Sequence, residues 1–210
     1  MSWWQETLLL LALALAASIV VKAFFVQMFF VPSASMHPTL IENDRILVEK
    51  ISLWDGKVDR GDVVVFKDPG GWLEATPEPT GFQDVLSVMG LYPEGGHLVK
   101  RVVGLPGEEV VCCDRRGRIT VDGEPLEERS YLPKGTVPST KQFDVKVPDD
   151  AVWVMGDNRS NSQDSRFHMS DPGRGTVPVD DVVGKVWAIV WPFDRFEVLP
   201  TPDALEPAAN

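Results

Sequence analysis

The chain is poor in the residues that build metal and thiol chemistry. It holds two cysteines and three histidines in 210 residues; Cys112 and Cys113 are adjacent, while His37, His97 and His168 are scattered. Two neighbouring thiols are too few for a structural zinc site and the histidines show no ligand spacing, so no metal and no other cofactor is expected. The cysteine pair reads as two free thiols beside a strand, with a strained vicinal disulfide as the alternative outside the cytoplasm. Basic residues are also short, 20 Lys and Arg against 31 Asp and Glu, for a formal charge of -11. Nucleic-acid binding draws most of its affinity from clustered cations, so nucleic acid is excluded as a partner. No Lys or Arg lies in the first six residues, which leaves a cleaved signal peptide without its basic leading region.

One long hydrophobic run is present. From Thr7 to Phe30 only Ser18, Lys22 and Gln27 interrupt the apolar residues after the opening threonine, and at about 1.5 Å per residue such a helix reaches across a hydrocarbon core. Residues 7–30 are therefore expected to form a single transmembrane anchor behind a tail of residues 1–6. Lys22 would snorkel to the interface, and Trp3 and Trp4 would sit in an aromatic belt. The stretch "ALALAAS" supplies the small residues of a processing site, but the apolar run continues well beyond it.

Behind the run, strand signals dominate. "RILVEKI", "GDVVVFKD", "HLVKRVVG", "GRITVDGEPL", "FDVKVP", "AVWVMGD" and "VVGKVWAIVWPF" are short, rich in Val and Ile, and punctuated by Gly, Pro or Asp. Asp122-Gly123 suits a two-residue hairpin turn, because both positions tolerate positive φ. The expected class is mainly β: an antiparallel, closed or sandwich-like body over 31–113 and 151–200, with a smaller subdomain inserted at 114–150. Residues 68–96, rich in Pro and Gly, read as a further excursion with a short helix near Asp84 to Met89, and 201–210 as a frayed tail.

Three stretches carry candidate chemistry. In "FFVPSASMHPTL" Pro32 and Pro38 restrict the backbone around Ser35. A serine hydroxyl needs a base, and with no convincing Ser-His-Asp arrangement the candidate bases are lysines. Lys100 lies among Leu98, Val99, Val102 and Val103, where burial would disfavour its ammonium. Alternation puts Lys100 and Arg101 on opposite faces of a strand, so one of the two is expected to face inward. Taken alone, Lys100 also suits an exposed edge charge and Ser35 a turn hydroxyl. "MGDNRSNSQDSRF" reads as a solvated loop or as a set of side chains that orients the lysine, with Asp164 and Arg166 pairing and Ser162 beside the amine.

At these stretches the chain resembles the type I signal peptidases, membrane-bound serine proteases that remove signal peptides from exported proteins. "PSASMHPTL" is similar to the family's nucleophile box, with Ala34 where Gly is common; "RGDVVVFKDP" resembles the second box, "VKRVVGLPGE" the lysine box, and "GDNRSNSQDSR" the last box. The resemblance implies Ser35 as nucleophile and Lys100 as general base. It implies Ser33 as an oxyanion-hole hydroxyl, Ser162 as the serine that orients the lysine, Asp164 and Arg166 as the supporting pair, and Arg101 as a structural arginine. Val31, Pro32, Met36, Leu40, Leu98 and Val99 match the lining of pockets that admit small residues, usually alanine, one and three positions before the cut. Leu98 stands where some relatives carry an aromatic ring. The implied partners are signal-peptide-bearing preproteins, the lipid bilayer and the secretion translocon. The implied location is the plasma membrane, single-pass, with the catalytic domain on the extracytoplasmic side. Two other readings remain open at this point: a specialised Ser-Lys peptidase with one dedicated substrate, and a membrane protein that binds signal peptides without cutting. A self-cleaving repressor lacks support, since no helix-turn-helix or basic face is visible.

Overall fold

The computed structural model describes residues 2–54, 56–73 and 96–200. The excursion beyond Leu73, with its expected helix near Asp84 to Met89, and the expected C-terminal tail lie outside the described residues.

The first element, α1, spans Trp3–Phe24. Its start is fastened by Gln5, whose side-chain oxygen accepts the Ser2 N–H at 2.9 Å. Four successive leucines, Leu8 to Leu11, are all exposed, so apolar side chains surround the helix instead of marking one face for a core. The expected anchor over 7–30 is corrected here. α1 stops at Phe24, and Val26–Phe30 forms strand β1, paired antiparallel with β2 (Arg45–Glu49) from Val26 opposite Glu49 to Phe30 opposite Arg45. An apolar run cannot by itself tell helix from strand, and here the ladder to β2 decides for the β-branched and aromatic segment. No helix among the described residues is long and apolar enough to cross a membrane.

The expected mainly antiparallel β body is present. The remaining strands are β3 (Val63–Lys67), β4 (His97–Gly104), β5 (Glu109–Cys112), β6 (Ile119–Val121), β7 (Glu124–Pro125), β8 (Phe143–Lys146), β9 (Ala151–Met155), β10 (Thr176–Pro178), β11 (Val182–Trp191) and β12 (Glu197–Val198). The larger sheet runs β1-β2-β11-β3-β4-β9-β10, with β12 added to β11; the smaller runs β7-β6-β5-β8. Among the described residues the larger sheet is an open path ending at β1 and β10 and does not close into a barrel. Every described strand pair is antiparallel.

The smaller sheet begins at Glu109, ahead of the expected boundary at Asp114. Its hairpin turns at Asp122 and Gly123, both with positive φ, as the Asp-Gly pair predicts. The two sheets share an apolar core in which Val103, Trp153 and Met155 of the larger meet Val110, Ile119, Phe143 and Val145 of the smaller. The reading of Cys112 and Cys113 as free thiols is also corrected: the two are joined by a disulfide. Cys112 is buried in that core, and Cys113 and Tyr131 both pack against it.

β4 positions the site. It lies between β3 and β9, with Lys100 opposite Val64 and Arg101 opposite both Val63 and Met155. An interior strand offers no open edge, so its cations are not edge guards.

Candidate active site

Ser35 sits in a single 3₁₀ turn, Ala34–Met36, that follows β1. Ser33 enters the turn in extended conformation, at φ -132° and ψ 154°. Met36 and Leu40 pin the turn from below, buried in a cluster with Val31, Ile46, Val63 and Val65. From the far side Asn158 clasps it: its backbone N–H donates to the Ser35 carbonyl at 3.0 Å, and its side-chain amide donates to the Ala34 carbonyl at 3.0 Å. Gly156 is needed at this approach, since a Cβ there would overlap both the Ser162 hydroxyl and the Ser35 carbonyl oxygen.

Lys100 Nζ lies 2.9 Å from Ser35 Oγ and 3.0 Å from the Val99 carbonyl, to which it donates. The lysine is 4% exposed. Burial lowers its pKa from the ordinary 10.5 to about 8, against the opposing pull of the Asp164 and Asp157 carboxylates. Ser33 Oγ lies 3.3 Å from Ser35 Oγ. A hydroxyl within hydrogen-bond reach of an amine whose pKa is lowered to about 8 has the geometry in which an amine can take a hydroxyl proton.

Two buried ion pairs frame this couple. Asp164 takes Arg166 in a fork at 2.8 and 2.7 Å and also accepts the Gly156 N–H at 3.0 Å. Asp157 takes Arg101 in a second fork at 2.8 and 2.6 Å, while Arg101 also donates to the Gly61 carbonyl and Thr39 Oγ1 donates to Asp157. Paired and hydrogen-bonded on all sides, these charges tolerate burial that a lone ion would not. The expectation that one of Lys100 and Arg101 faces inward needs correction, because both are buried, on a strand covered on both faces.

The structure brings Ser33, Ser35 and Lys100 together, with the Asp164-Arg166 pair beside them. Ser162 is buried near Gly156, yet its hydroxyl has no hydrogen-bond partner among the described residues and does not bond Lys100. Of the expected pocket residues, Val31, Met36, Leu40 and Val99 share one apolar cluster, and Pro32 is exposed. Leu98 packs in another cluster, with Phe66, Trp72 and Val102. Sequence reasoning missed Thr39, Asp157, Asn158 and Arg159. The signal for Arg159 was a charged residue inside a box of site residues, but its partners Glu128 and Tyr131 come from a distant segment.

Among the described residues no cluster of His, Cys, Asp and Glu could hold a metal ion. The family profile described as signal peptidase, peptidase S26, matches residues 4–191. The chain is 36% identical to signal peptidase I of Mycobacterium tuberculosis H37Rv, over 93% of this chain and 75% of that one. It is 33% identical to signal peptidase I of Leptolyngbya laminosa, over 94% and 85% of the two chains. To signal peptidase I U of Bacillus subtilis strain 168 the identity is 29%, over 90% and 89%. A solved signal peptidase I of Enterococcus faecalis V583 aligns with a TM-score of 0.40 and 24% identity, covering 62% of this chain and 97% of that one. On the match over most of its length, the chain belongs to the signal peptidase family of peptidase S26.

Proposed function

We propose that this protein is a signal peptidase I that cuts N-terminal signal peptides from exported preproteins after Ala-x-Ala, with Ser35 as nucleophile and neutral Lys100 as general base. The observation that carries the reading is the buried Lys100 amine, 2.9 Å from Ser35 Oγ with its pKa lowered to about 8. Neutral Lys100 removes the Ser35 proton as Oγ attacks the scissile carbonyl. The negative charge passing to the carbonyl oxygen is met by the Ser35 N–H and the Ser33 hydroxyl, donors that act most strongly where water is excluded. The Lys100 ammonium then gives its proton to the leaving amine, and water, deprotonated by the same amine, hydrolyses the acyl ester. The stretch before the cut binds as an added strand beside Val31 to Ser33, and the apolar cluster of Val31, Met36, Leu40 and Val99 limits its side chains to small ones. Ser162 orients the lysine when substrate closes the site.

Membrane attachment belongs to the same reading. Besides α1, exposed Met28 and Phe30 on β1, Trp187 and Trp191 on β11, and Phe193 and Phe196 just beyond it lie along the two strands that flank β2, while exposed Trp54 packs on Phe25 at the end of α1. Such a face is costly in water and suits lipid, where a signal peptide waits. The substrates are exported, so the site faces the extracytoplasmic side. The test is cleavage of a purified Ala-x-Ala precursor by the vesicle-bound chain and by its folded Ser35→Ala and Lys100→Met variants. We expect cutting after the second alanine, loss of nearly all activity in both variants, and co-flotation with anionic vesicles. Variants that cut as well as the parent would sink the Ser-Lys mechanism, and protein left at the bottom of the gradient would sink the attachment.

A further inference from the structure

Arg159 has a set of partners that the proton-transfer chemistry does not use. Its guanidinium takes Glu128 at 2.6 and 3.1 Å, donates from Nε to the Gly156 carbonyl at 3.0 Å, and reaches the Pro138 carbonyl at 3.1 Å and the Tyr131 hydroxyl at 3.0 Å. Tyr131 in turn donates to Glu128 at 2.5 Å and lays its ring 4.3 Å from the Arg101 guanidinium. Burial pushes the Tyr131 phenol well above its ordinary pKa, so it stays a donor. Arg159 and Glu128 are 3% and 5% exposed. Glu128, Tyr131 and Pro138 all lie between β7 and β8, in the connection that leaves the smaller sheet and returns to it. Farther along, Lys141 places its ammonium 3.8 Å from the centre of the Phe167 ring, next to Arg166.

We propose that the 126–141 connection is a strap on the catalytic loop and that Glu128, Tyr131 and Arg159 are positioning residues for Ser35. The path is short. Arg159 fixes the Gly156 carbonyl, and the residues between them, Asp157 and Asn158, hold Arg101 and the two carbonyls of the nucleophile turn. Without Glu128, Arg159 is a buried cation with only neutral acceptors, and it leaves the site or drags its loop toward water. The hydroxyl of Ser35 then loses its register with Lys100, which lowers the chemical step and leaves the peptide-binding strand in place. This inference rests on the Ser-Lys peptidase reading for its kinetic readout, but the strap itself is a statement about the 156–159 backbone.

The experiment measures kcat and KM for Ala-x-Ala precursor cleavage by the full chain and by Glu128→Gln, Arg159→Gln, the double variant and Tyr131→Phe. Amide hydrogen exchange is followed in each. We expect kcat to fall at least tenfold in Glu128→Gln and Arg159→Gln, KM to stay within about twofold, and the double variant to lose no more than the worse single one. The Asn158 amide should exchange faster in all of them, while the β9 amides keep their protection. Tyr131→Phe, which deletes only a hydroxyl, should lose less kcat and still expose the Asn158 amide, and it carries the test if the Glu128 variant unfolds. Wild-type kcat in any folded Glu128 or Arg159 variant overturns the proposal, as does unchanged Asn158 exchange in Tyr131→Phe with Glu128→Gln unfolded. A parent enzyme that fails to cut, with Asn158 exposed in the variants, removes the peptidase reading and leaves the strap standing.

Discussion

Replacing the proposed base should make the protein more stable. Lys100 is buried, and a folded-state pKa of about 8 against the ordinary 10.5 means that at pH 7 its ammonium destabilises the native state by about 3 kcal/mol. The sign follows from proton binding. Between pH 8 and 10.5 the unfolded chain holds a proton that the native chain has released, so the lysine's penalty is full below pH 8 and vanishes as pH rises toward 10.5. In Lys100→Met an unbranched side chain of similar length fills the space with no charge. The variant forfeits the donations to Ser35 and Val99, worth about 0.5–1.5 kcal/mol each. The balance favours the variant by up to about 2 kcal/mol at pH 7. At pH 10 the lysine's penalty is below about 1 kcal/mol, the lost hydrogen bonds dominate, and the order reverses. Urea unfolding of both chains in the same detergent at pH 7 and pH 10 measures this directly. A stability difference that does not change with pH, or a variant weaker at pH 7 than at pH 10, would refute the burial of a depressed lysine. The same pKa sets the activity: kcat/KM should drop about tenfold for each pH unit below 8, as neutral amine becomes scarce.

The remaining predictions concern the frame. Gly156→Ala drives a methyl group into the Ser162 hydroxyl and the Ser35 carbonyl; kcat/KM should fall by about a hundredfold in a protein that still folds, and undiminished activity would show that the approach is looser than described. Asp164→Asn removes a charge that supports the Lys100 ammonium, so the acid limb of the rate profile should move below pH 8 while the maximum rate drops. An upward move of that limb would contradict the assigned electrostatics.

How much was legible in the sequence depended on whether the cause was local. The hairpin at Asp122-Gly123 and most strands were readable because turn chemistry and β-branched runs act over a few residues. Ser35 and Lys100 were singled out by the resemblance of their boxes to those of the type I signal peptidases; their immediate neighbours alone left a turn hydroxyl and an edge charge equally open. β1 was not, because hydropathy alone continues through Phe30; its strand state comes from pairing with β2, whose residues lie well downstream. The Arg159 contacts were not, because Glu128 and Tyr131 reach it across about thirty residues and no spacing rule links them. The cysteine pair was misread because free thiols are the ordinary state of neighbours in sequence, and only the fold joins them.

One consequence of β4 being an interior strand ties these observations together. Burial by itself would lower the Lys100 pKa further, and a lone amine in a flexible pocket makes a poor base. Adjacent Arg101 solves the second problem. It is held by Asp157, and through it the 157–158 segment grips the Ser35 turn. Asp164 and Asp157 also oppose the desolvation of Lys100 and hold its pKa up, at about 8. Position and basicity are thus set by the same two carboxylates. Removing either charge should change rate and pH dependence together, whereas changes in the apolar pocket should alter substrate preference without moving the limb.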